Sequence, residues 1–475
     1  MHLKKRISLL VSVIFVLSFV LMACTNNGKD GNTDPVNTNG PENTGQEQNN
    51  NDGGDQGAEE AVYDPTANKE PVTLTVMNWG GAPAEFFKPL YDEFTKKYPW
   101  ITVEMLASGG ADVEGMSTLA ALQSSGNPPD LAWVASIASW NEGGNLEDLK
   151  PYIDKDPVVK TLGIKDGFLE TWAINDQVLA LPWTDDPWPI VINKDLMAKH
   201  GIEMPSNDWT YEDFRRMAIQ ATDHAAGEYG ISFNGVFKTS MPYLLAIANG
   251  HASGLNFMNE NNTQSMLHTP EVMADLKWLH DLYNVDKTMM DVATLNASGY
   301  GEGGDFMAGK ALFSIAQPLK QLSDMVDFEW DILPAPRGSV SQPNMRNTSP
   351  LAMLSASKNK DAAWLFIRFQ FEYEANKWRI DNIGFPSMVA NAELDQLLAS
   401  VYDGKNFEAL QISSTTCCTS DGPMIYDYSA MHDGIYMSAV MSYFNDNTDI
   451  SSVIPAIEDY NNRATEYWKK MGVIR

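Results

Sequence analysis

The 475-residue chain sets 62 Asp and Glu against 33 Lys and Arg, a formal charge of −29. Acids run along its whole length, which excludes a nucleic-acid partner, argues against an anionic ligand held by a basic patch, and suits a neutral one. Three cysteines and seven scattered histidines show no metal-binding spacing, and the phosphate-binding Gly-x-x-x-x-Gly-Lys-Ser/Thr motif is absent, so no cofactor or metal is expected.

The first element is a leader. Lys4, Lys5 and Arg6 precede an apolar run from Ile7 to Val20, and Leu21-Met22-Ala23-Cys24 closes it. This ending resembles the bacterial lipobox, which implies a signal peptide over 1–23 and a lipid carried by Cys24. Two or more acyl chains hold a protein on a membrane where one lets go. An ordinary cleaved signal or an uncleaved anchor is the alternative, though the run is short for a membrane span. Residues 24–68 are Asn, Gly, Thr, Asp, Gln and Pro with almost nothing apolar, a composition that cannot bury enough surface to fold. A coil of roughly 40 residues spans about 35 Å, so the stretch reads as a tether. About 400 residues remain, room for two cores.

Val72, Leu74 and Val76 alternate with threonines and predict a strand, broken at Trp79-Gly80-Gly81. Phe87, Leu90, Tyr91, Phe94 and Tyr98 recur with helical spacing, tolerable around Pro89 only if the helix begins shortly before it. Ile101, Val103 and Met105 complete a strand, helix, strand unit of the kind that builds a parallel sheet. A helix over Met116–Gln123, a Gly126-Asn127-Pro128-Pro129 turn and a buried central strand over Leu131–Val134 follow. Thr210 and Asp213 form a capping-box variant ahead of an apolar face at Tyr211, Phe214, Met217, Ala218 and Ala221. Gly299, Gly301 and Gly304 match the dinucleotide glycine spacing, but no strand leads into them, so they read as a loop. Asn359 is placed to cap a helix over 361–371. Ile454, Ile457, Tyr460, Ala464, Tyr467 and Trp468 mark a terminal amphipathic helix, closed by Lys469, Lys470 and Gly472. The pattern is α/β throughout.

Four stretches, in order, resemble the extracellular solute-binding proteins of ABC importers, in the large carbohydrate-binding class that includes maltose-binding protein. They are Gly126 to Leu131; Leu179 to Trp183 followed by Ile190 to Leu196; Phe306 to Leu312; and Ser357 to Trp364. The resemblance covers nearly all of 71–475. It implies a two-lobed, type II periplasmic-binding-protein-like α/β fold with discontinuous lobes: 71–183 with 335–373, and 184–334 with 374–475. Hinge crossings are expected near Pro182–Pro187, Leu333–Pro336 and Phe371–Lys377. It also implies a carbohydrate ligand, permease subunits as partners, a monomer, and no enzymatic activity.

Sugars offer flat C–H faces and a rim of hydroxyls, so their receptors need aromatic plates and carboxylates or amides. Trp183-Thr184-Asp185-Asp186-Pro187-Trp188 supplies both, and Trp183, Asp185, Asp186 and Trp188 are candidate ligand residues, with Asp186 where the family places an acidic contact. The alternative is core packing for the tryptophans and capping for the acids. Trp79, Ser136 and Trp140 follow predicted strands at the carboxyl ends where clefts of open α/β sheets form. Gln317-Pro318-Leu319 stands where sugar-binding relatives have Gly-Pro-Trp; Leu319 departs from the stacking tryptophan and puts a simple maltose-type ligand in doubt. Tyr426 and Tyr428 match a late aromatic platform, with core packing as the other reading.

Cys417 and Cys418 are adjacent. Their Cα atoms lie about 3.8 Å apart, below the usual disulfide span, so a bond between them would be strained. The compartment is oxidising and offers no other partner, leaving either a vicinal disulfide lining the cleft or two free thiols. Function is thus expected to be capture of a neutral oligosaccharide for import. An anchored glycoside hydrolase is the rival; it needs two carboxylates about 5 to 9.5 Å apart across one bond, which neighbours such as Asp185 and Asp186 seldom achieve. A sensor's input domain of the same fold is a third reading.

Overall fold

The computed structural model describes residues 63–78, 84–109, 113–134, 136–174, 176–315, 319–415, 417–419, 425–446 and 448–474. The leader, the Cys24 lipid site, most of the tether, Trp79 and Gln317 lie outside the described residues. Among the described residues no helix is long and apolar enough to cross a membrane. The compact body starts at Pro65, and Pro65 is already buried, inside the stretch the sequence assigns to the tether.

The body opens with β1 (Val72–Asn78), α1 (Ala84–Lys97), β2 (Ile101–Ala107), α2 (Val113–Ser124) and β3 (Leu131–Trp133). β1 runs parallel to both β2 and β3, as its alternating pattern and the intervening helices require. Phe87, Leu90, Tyr91, Phe94 and Tyr98 are all buried. α1 starts earlier than its Pro89 would suggest, so that the proline sits a full turn inside the helix and the chain forgoes one N–H bond there. After α3 (Ile137–Trp140) come the short hairpin strands β4 (Ala173–Ile174) and β5 (Gln177–Val178), then β6 (Leu181–Pro182), β7 (Asp186–Trp188) and β8 (Ile190–Asn193).

The middle of the chain supplies α4 (Lys194–His200), α5 (Tyr211–Ala221), β9 (Tyr229–Ile231), α6 (Gly235–Ala248), β10 (Ala311–Ile315), α7 (Leu319–Met325) and β11 (Trp330–Leu333). α5 carries the expected capping box: the Thr210 hydroxyl accepts from the Asp213 N–H while Asp213 accepts from the Thr210 N–H, and all five apolar-face residues are buried. Gly299 ends a helix in a left-handed conformation, and only a four-residue helix, Gly304–Met307, follows. The dinucleotide spacing there is indeed a loop.

β12 (Asn344–Asn347), β13 (Pro350–Met353), α8 (Lys360–Phe369), α9 (Tyr373–Asn382), α10 (Phe407–Thr415), β14 (Cys417–Thr419) and α11 (Ile454–Lys470) complete the framework. α11 buries Ile457, Tyr460, Ala464 and Trp468. It ends as its sequence predicts, with Gly472 at φ 73° and Val473 N–H donating to the Trp468 carbonyl at 3.0 Å, a left-handed C-terminal cap.

These strands form two main sheets and a ladder between them. The first sheet has the order β2-β1-β3-β13-β6, the second β11-β8-β10-β9, and the connecting sheet β14-β12-β7. The chain leaves the first sheet at Pro182 and enters the second at Ile190; it leaves the second at Leu333 and re-enters the first at Pro350. Both passages run through the connecting ladder, where Met345, Arg346 and Asn347 face Trp188, Pro187 and Asp186 in antiparallel register.

The stretches that carried the family resemblance contribute to this scaffold. Asp130 is buried and accepts from Thr75 N–H at 2.9 Å, Ser357 Oγ at 2.7 Å and Asn359 Nδ2 at 3.1 Å, so one carboxylate clamps β1 to the start of α8. Asn359 therefore does not cap α8 with its side chain, as expected from sequence; its amide is spent on Asp130. Asn193 does cap, accepting from the Asp195 and Leu196 N–H groups at the start of α4. Asp305, just before the third stretch, is buried and accepts from the Ser232 hydroxyl and the Phe233 and Phe306 N–H groups.

Candidate functional site between the sheets

Residues 183–188 form the start of the first passage between the sheets, and their side chains turn into the molecule. Trp183 is buried against Phe87 (centroids 4.6 Å, perpendicular) and Trp133 (4.8 Å), with the Arg379 guanidinium 5.0 Å from its ring. Its N–H donates to the Thr348 carbonyl at 3.0 Å, tying the first passage to the second. Its indole Nε1 and the Thr184 hydroxyl are buried without a hydrogen-bond partner among the described residues, a deficit that water or ligand oxygens ordinarily fill.

Asp185 is buried with its carboxylate 3.0 Å from Arg346 Nε. The two form an ion pair but not a hydrogen bond, since neither atom finds a correctly directed partner. Burial pushes the Asp185 carboxyl up from 3.8 to about 6 against the opposing pull of Arg346 and Lys165. Arg346 also donates to the Ser414 carbonyl on α10 at 3.0 Å and lies 4.4 Å from the Phe168 ring. One guanidinium thus joins the two crossing strands to elements on either side. Asp186 accepts from the Trp188 indole at 2.9 Å, with Trp188 half-buried. Burial and then the charge of Asp186 raise the Tyr402 phenol, which donates to the Gly384 carbonyl at 2.8 Å.

The remaining candidates scatter. Ser136 caps the four-residue α3, its hydroxyl accepting from Ser139 N–H at 3.3 Å. Trp140 is sealed in an apolar cluster with Met77, Ile137, Trp172 and Leu354. Tyr426 packs 4.7 Å from Tyr467, and its carbonyl accepts from Tyr460 Oη at 2.7 Å. Tyr428 stacks at 4.8 Å on His432, a ring that burial holds down to about 4. Both tyrosines are half-buried against the second sheet's apolar cluster. That cluster also takes in Ala138 from α3, and the charge of Glu142 adds to the burial that raises the Tyr467 phenol. The two sides of the molecule therefore touch near these residues. Cys417 and Cys418 lie in β14, in parallel register with Asn344 and Met345.

A second contact joins the sides. α7 packs on the second sheet through Ser323, which accepts from Trp330 Nε1 at 3.0 Å, while α9 packs on α1 through Trp378. Lys320 Nζ donates to the Asp381 carbonyl and Gln321 Nε2 to the Asn382 carbonyl at 3.0 Å, at the C-terminal end of α9, where helix carbonyls lack partners and carry partial negative charge.

Sequence reading missed Arg346, Arg379, Phe87 and Trp133. Arg346 was detectable as a lone cation in a strand-like stretch of an acidic chain, but nothing local said it would meet Asp185. Two open hollows of about 340 and 240 Å3 lie side by side near the start of α4 and β11, around Asp195, Asp327 and Phe328; neither includes a residue of 183–188.

Comparison with known proteins agrees with this geometry. The family model described as "Bacterial extracellular solute-binding protein" matches residues 80–377. An uncharacterized lipoprotein in the oleD 5′ region of Streptomyces antibioticus is 26% identical over 310 residues, 63% of this chain and 66% of that one, so the match spans just under two thirds of the relative's length. Among solved structures, an ABC substrate-binding protein from Listeria monocytogenes in complex with cycloalternan superposes with a TM-score of 0.69 at 22% identity, over 85% of this chain and all of that one. Maltose-bound MalE3 of T. maritima gives 0.61 at 19%, over 83% and 99%. UgpB from Mycobacterium tuberculosis, in complex with glycerophosphocholine, gives 0.63 at 16%, over 84% and 99%.

Proposed function

The chain belongs to the bacterial extracellular solute-binding proteins, with their type II periplasmic-binding-protein fold, and from that membership we propose that it captures a neutral carbohydrate, an oligosaccharide, for an ABC-type importer. The observation that carries this reading is the segment Trp183–Trp188. It sets aromatic rings beside carboxylates at the point where the chain passes between two sheets, and it leaves the Trp183 indole N–H and the Thr184 hydroxyl without hydrogen-bond partners among the described residues. The complexes with cycloalternan and maltose in proteins of the same fold support a saccharide, and the acidic charge of this chain disfavours an anionic solute.

In this reading one lobe carries the first sheet and the other the second, with β7 and β12 as the hinge. The hydrogen bonds of Arg337 N–H to the Trp209 carbonyl and Val340 N–H to the Ala248 carbonyl tie 337–341 to the second lobe. The contacts of Trp378 and Arg379 with α1 and Trp183 tie α9 to the first. This reading puts the boundaries expected near 335 and 373 at about 348 and beyond Gly384. A ligand touching both lobes favours the closed arrangement, and closure is what the permease reads. Asp185 is paired with Arg346 and Asp186 with the Trp188 indole, roles that position the hinge and perform no hydrolysis. Lipid on Cys24 would hold the receptor at the cell's outer face, as the lipoprotein relative suggests; replacing Cys24 by Ser should release the protein into the medium. The vicinal disulfide of Cys417 and Cys418 belongs to the same reading, and thiol labelling of both without reductant would reject it.

Titration calorimetry against neutral mono- to hexasaccharides, with a peptide and an amino acid alongside, tests the substrate class. Saccharide binding is expected; binding of peptide or amino acid with no saccharide response would overturn it.

A further inference from the structure

Phe86 and Trp378 form an aromatic shelf at the surface of the first lobe. Phe86 is 40% exposed, the most exposed aromatic side chain among the described residues' large exposed hydrophobics, and its ring stands perpendicular to Trp378 at 5.7 Å. Trp378 is half-buried, and its indole N–H makes no hydrogen bond among the described residues. The pair leaves apolar surface in water, at a cost in free energy that a bound apolar face would remove.

The shelf is continuous with the site between the sheets. Phe86 touches Phe87 at 5.0 Å, Phe87 touches Trp183 at 4.6 Å, and Trp378 reaches Phe87 at 6.1 Å. Phe86 lies in the first turns of α1, next to the carboxyl end of β1, the side of a parallel sheet where ligands bind. Trp378 lies one turn before the α9 carbonyls that Lys320 and Gln321 of the second lobe engage. Two lysines near it are paired, Lys88 with Asp92 at 2.7 Å and Lys377 with Asp381, which leaves neither lysine free to draw an anionic ligand. An exposed ring, a half-exposed one and an N–H donor fit a pyranose ring, whose C–H face needs a plate and whose hydroxyls need donors.

We propose that Phe86 and Trp378 form an outer stacking subsite for a sugar unit distal to those held at the hinge, and that the natural ligand is therefore an oligosaccharide long enough to reach it. This rests on the carbohydrate reading above and names the chain length that reading leaves open. The subsite contributes affinity only when the ligand extends past Trp183.

The test is calorimetry of the full-length body with a ladder of mono- to hexasaccharides for the wild type, Phe86→Ala, Trp378→Ala and Trp378→Phe, each shown by near-ultraviolet circular dichroism to be folded. The wild type should gain affinity with length and then plateau. Both alanine variants should bind the shortest binding saccharide as the wild type does and lose about tenfold on the longer ones, with Trp378→Phe between. Equal loss at every length, or none at any length, overturns the subsite while leaving the saccharide reading intact. A wild type that binds no saccharide overturns both.

Discussion

The two main sheets and the ladder between them are held together by different forces. The central strands β8, β10 and β13 are buried along their whole length and, Asn193 and Ser314 aside, present apolar cores to their helices. The β7–β12 ladder is nearly as buried, with Trp188 and Arg346 half-buried, yet its Arg346 meets Asp185, just before β7, as an imperfect ion pair, and the neighbouring Trp183 and Thr184 polar groups lack hydrogen-bond partners among the described residues. A fold selected only for stability would replace such groups with apolar ones at little cost or a gain. Their presence where the chain crosses is what the proposed hinge needs: sheets that supply stability and a ladder free to respond.

That contrast can be broken by experiment. Phe313→Ala, in the middle of the second sheet, should cost about 3–5 kcal/mol of stability while the protein that remains folded binds saccharide as before; chemical denaturation and calorimetry read the two effects separately. Arg346→Met should cost about 3 kcal/mol, by leaving a buried carboxylate uncompensated, and should weaken ligand binding as well. A hinge variant that lost stability alone would erase the distinction.

Acid sharpens it. Asp185 has a folded pKa of about 6 against 3.8 for the free group, so the native state binds this proton more tightly than the unfolded chain. Its contribution makes the protein more stable at low pH and is lost as pH rises from about 4 to about 6, on the order of 3 kcal/mol. Urea unfolding across this range should show wild type losing stability relative to Asp185→Asn as pH rises; parallel curves would contradict the assignment.

Smaller effects follow at the edges. Lys320→Ala removes a cation from the α9 C-terminus and should weaken ligand binding about two- to fivefold, with the difference fading at high salt; an effect on stability alone would make the contact structural. Thr210→Ala should cost about 1 kcal/mol and leave binding untouched.

Much of the fold was legible because it rests on local periodicity. The faces of α1, α5 and α11 could be read from spacing, since a buried stripe on a helix needs only one stretch of sequence. Asn359 shows the limit: its position at a helix start was correct, but its side chain serves Asp130, a partner more than two hundred residues away. The first passage was expected from the family resemblance and its prolines, whereas the pairing of Asp185 with Arg346 depends on which strand lies beside β7. Trp378 was unreadable for the same reason, because nothing on its own largely polar helix says that its ring will meet Phe86.

Solution X-ray scattering of the tether-free body, without ligand and at saturating oligosaccharide, tests the central claim most directly. Two lobes closing across the β7–β12 hinge require the radius of gyration to fall when the ligand binds. An unchanged radius with a saccharide shown by calorimetry to be bound would contradict it.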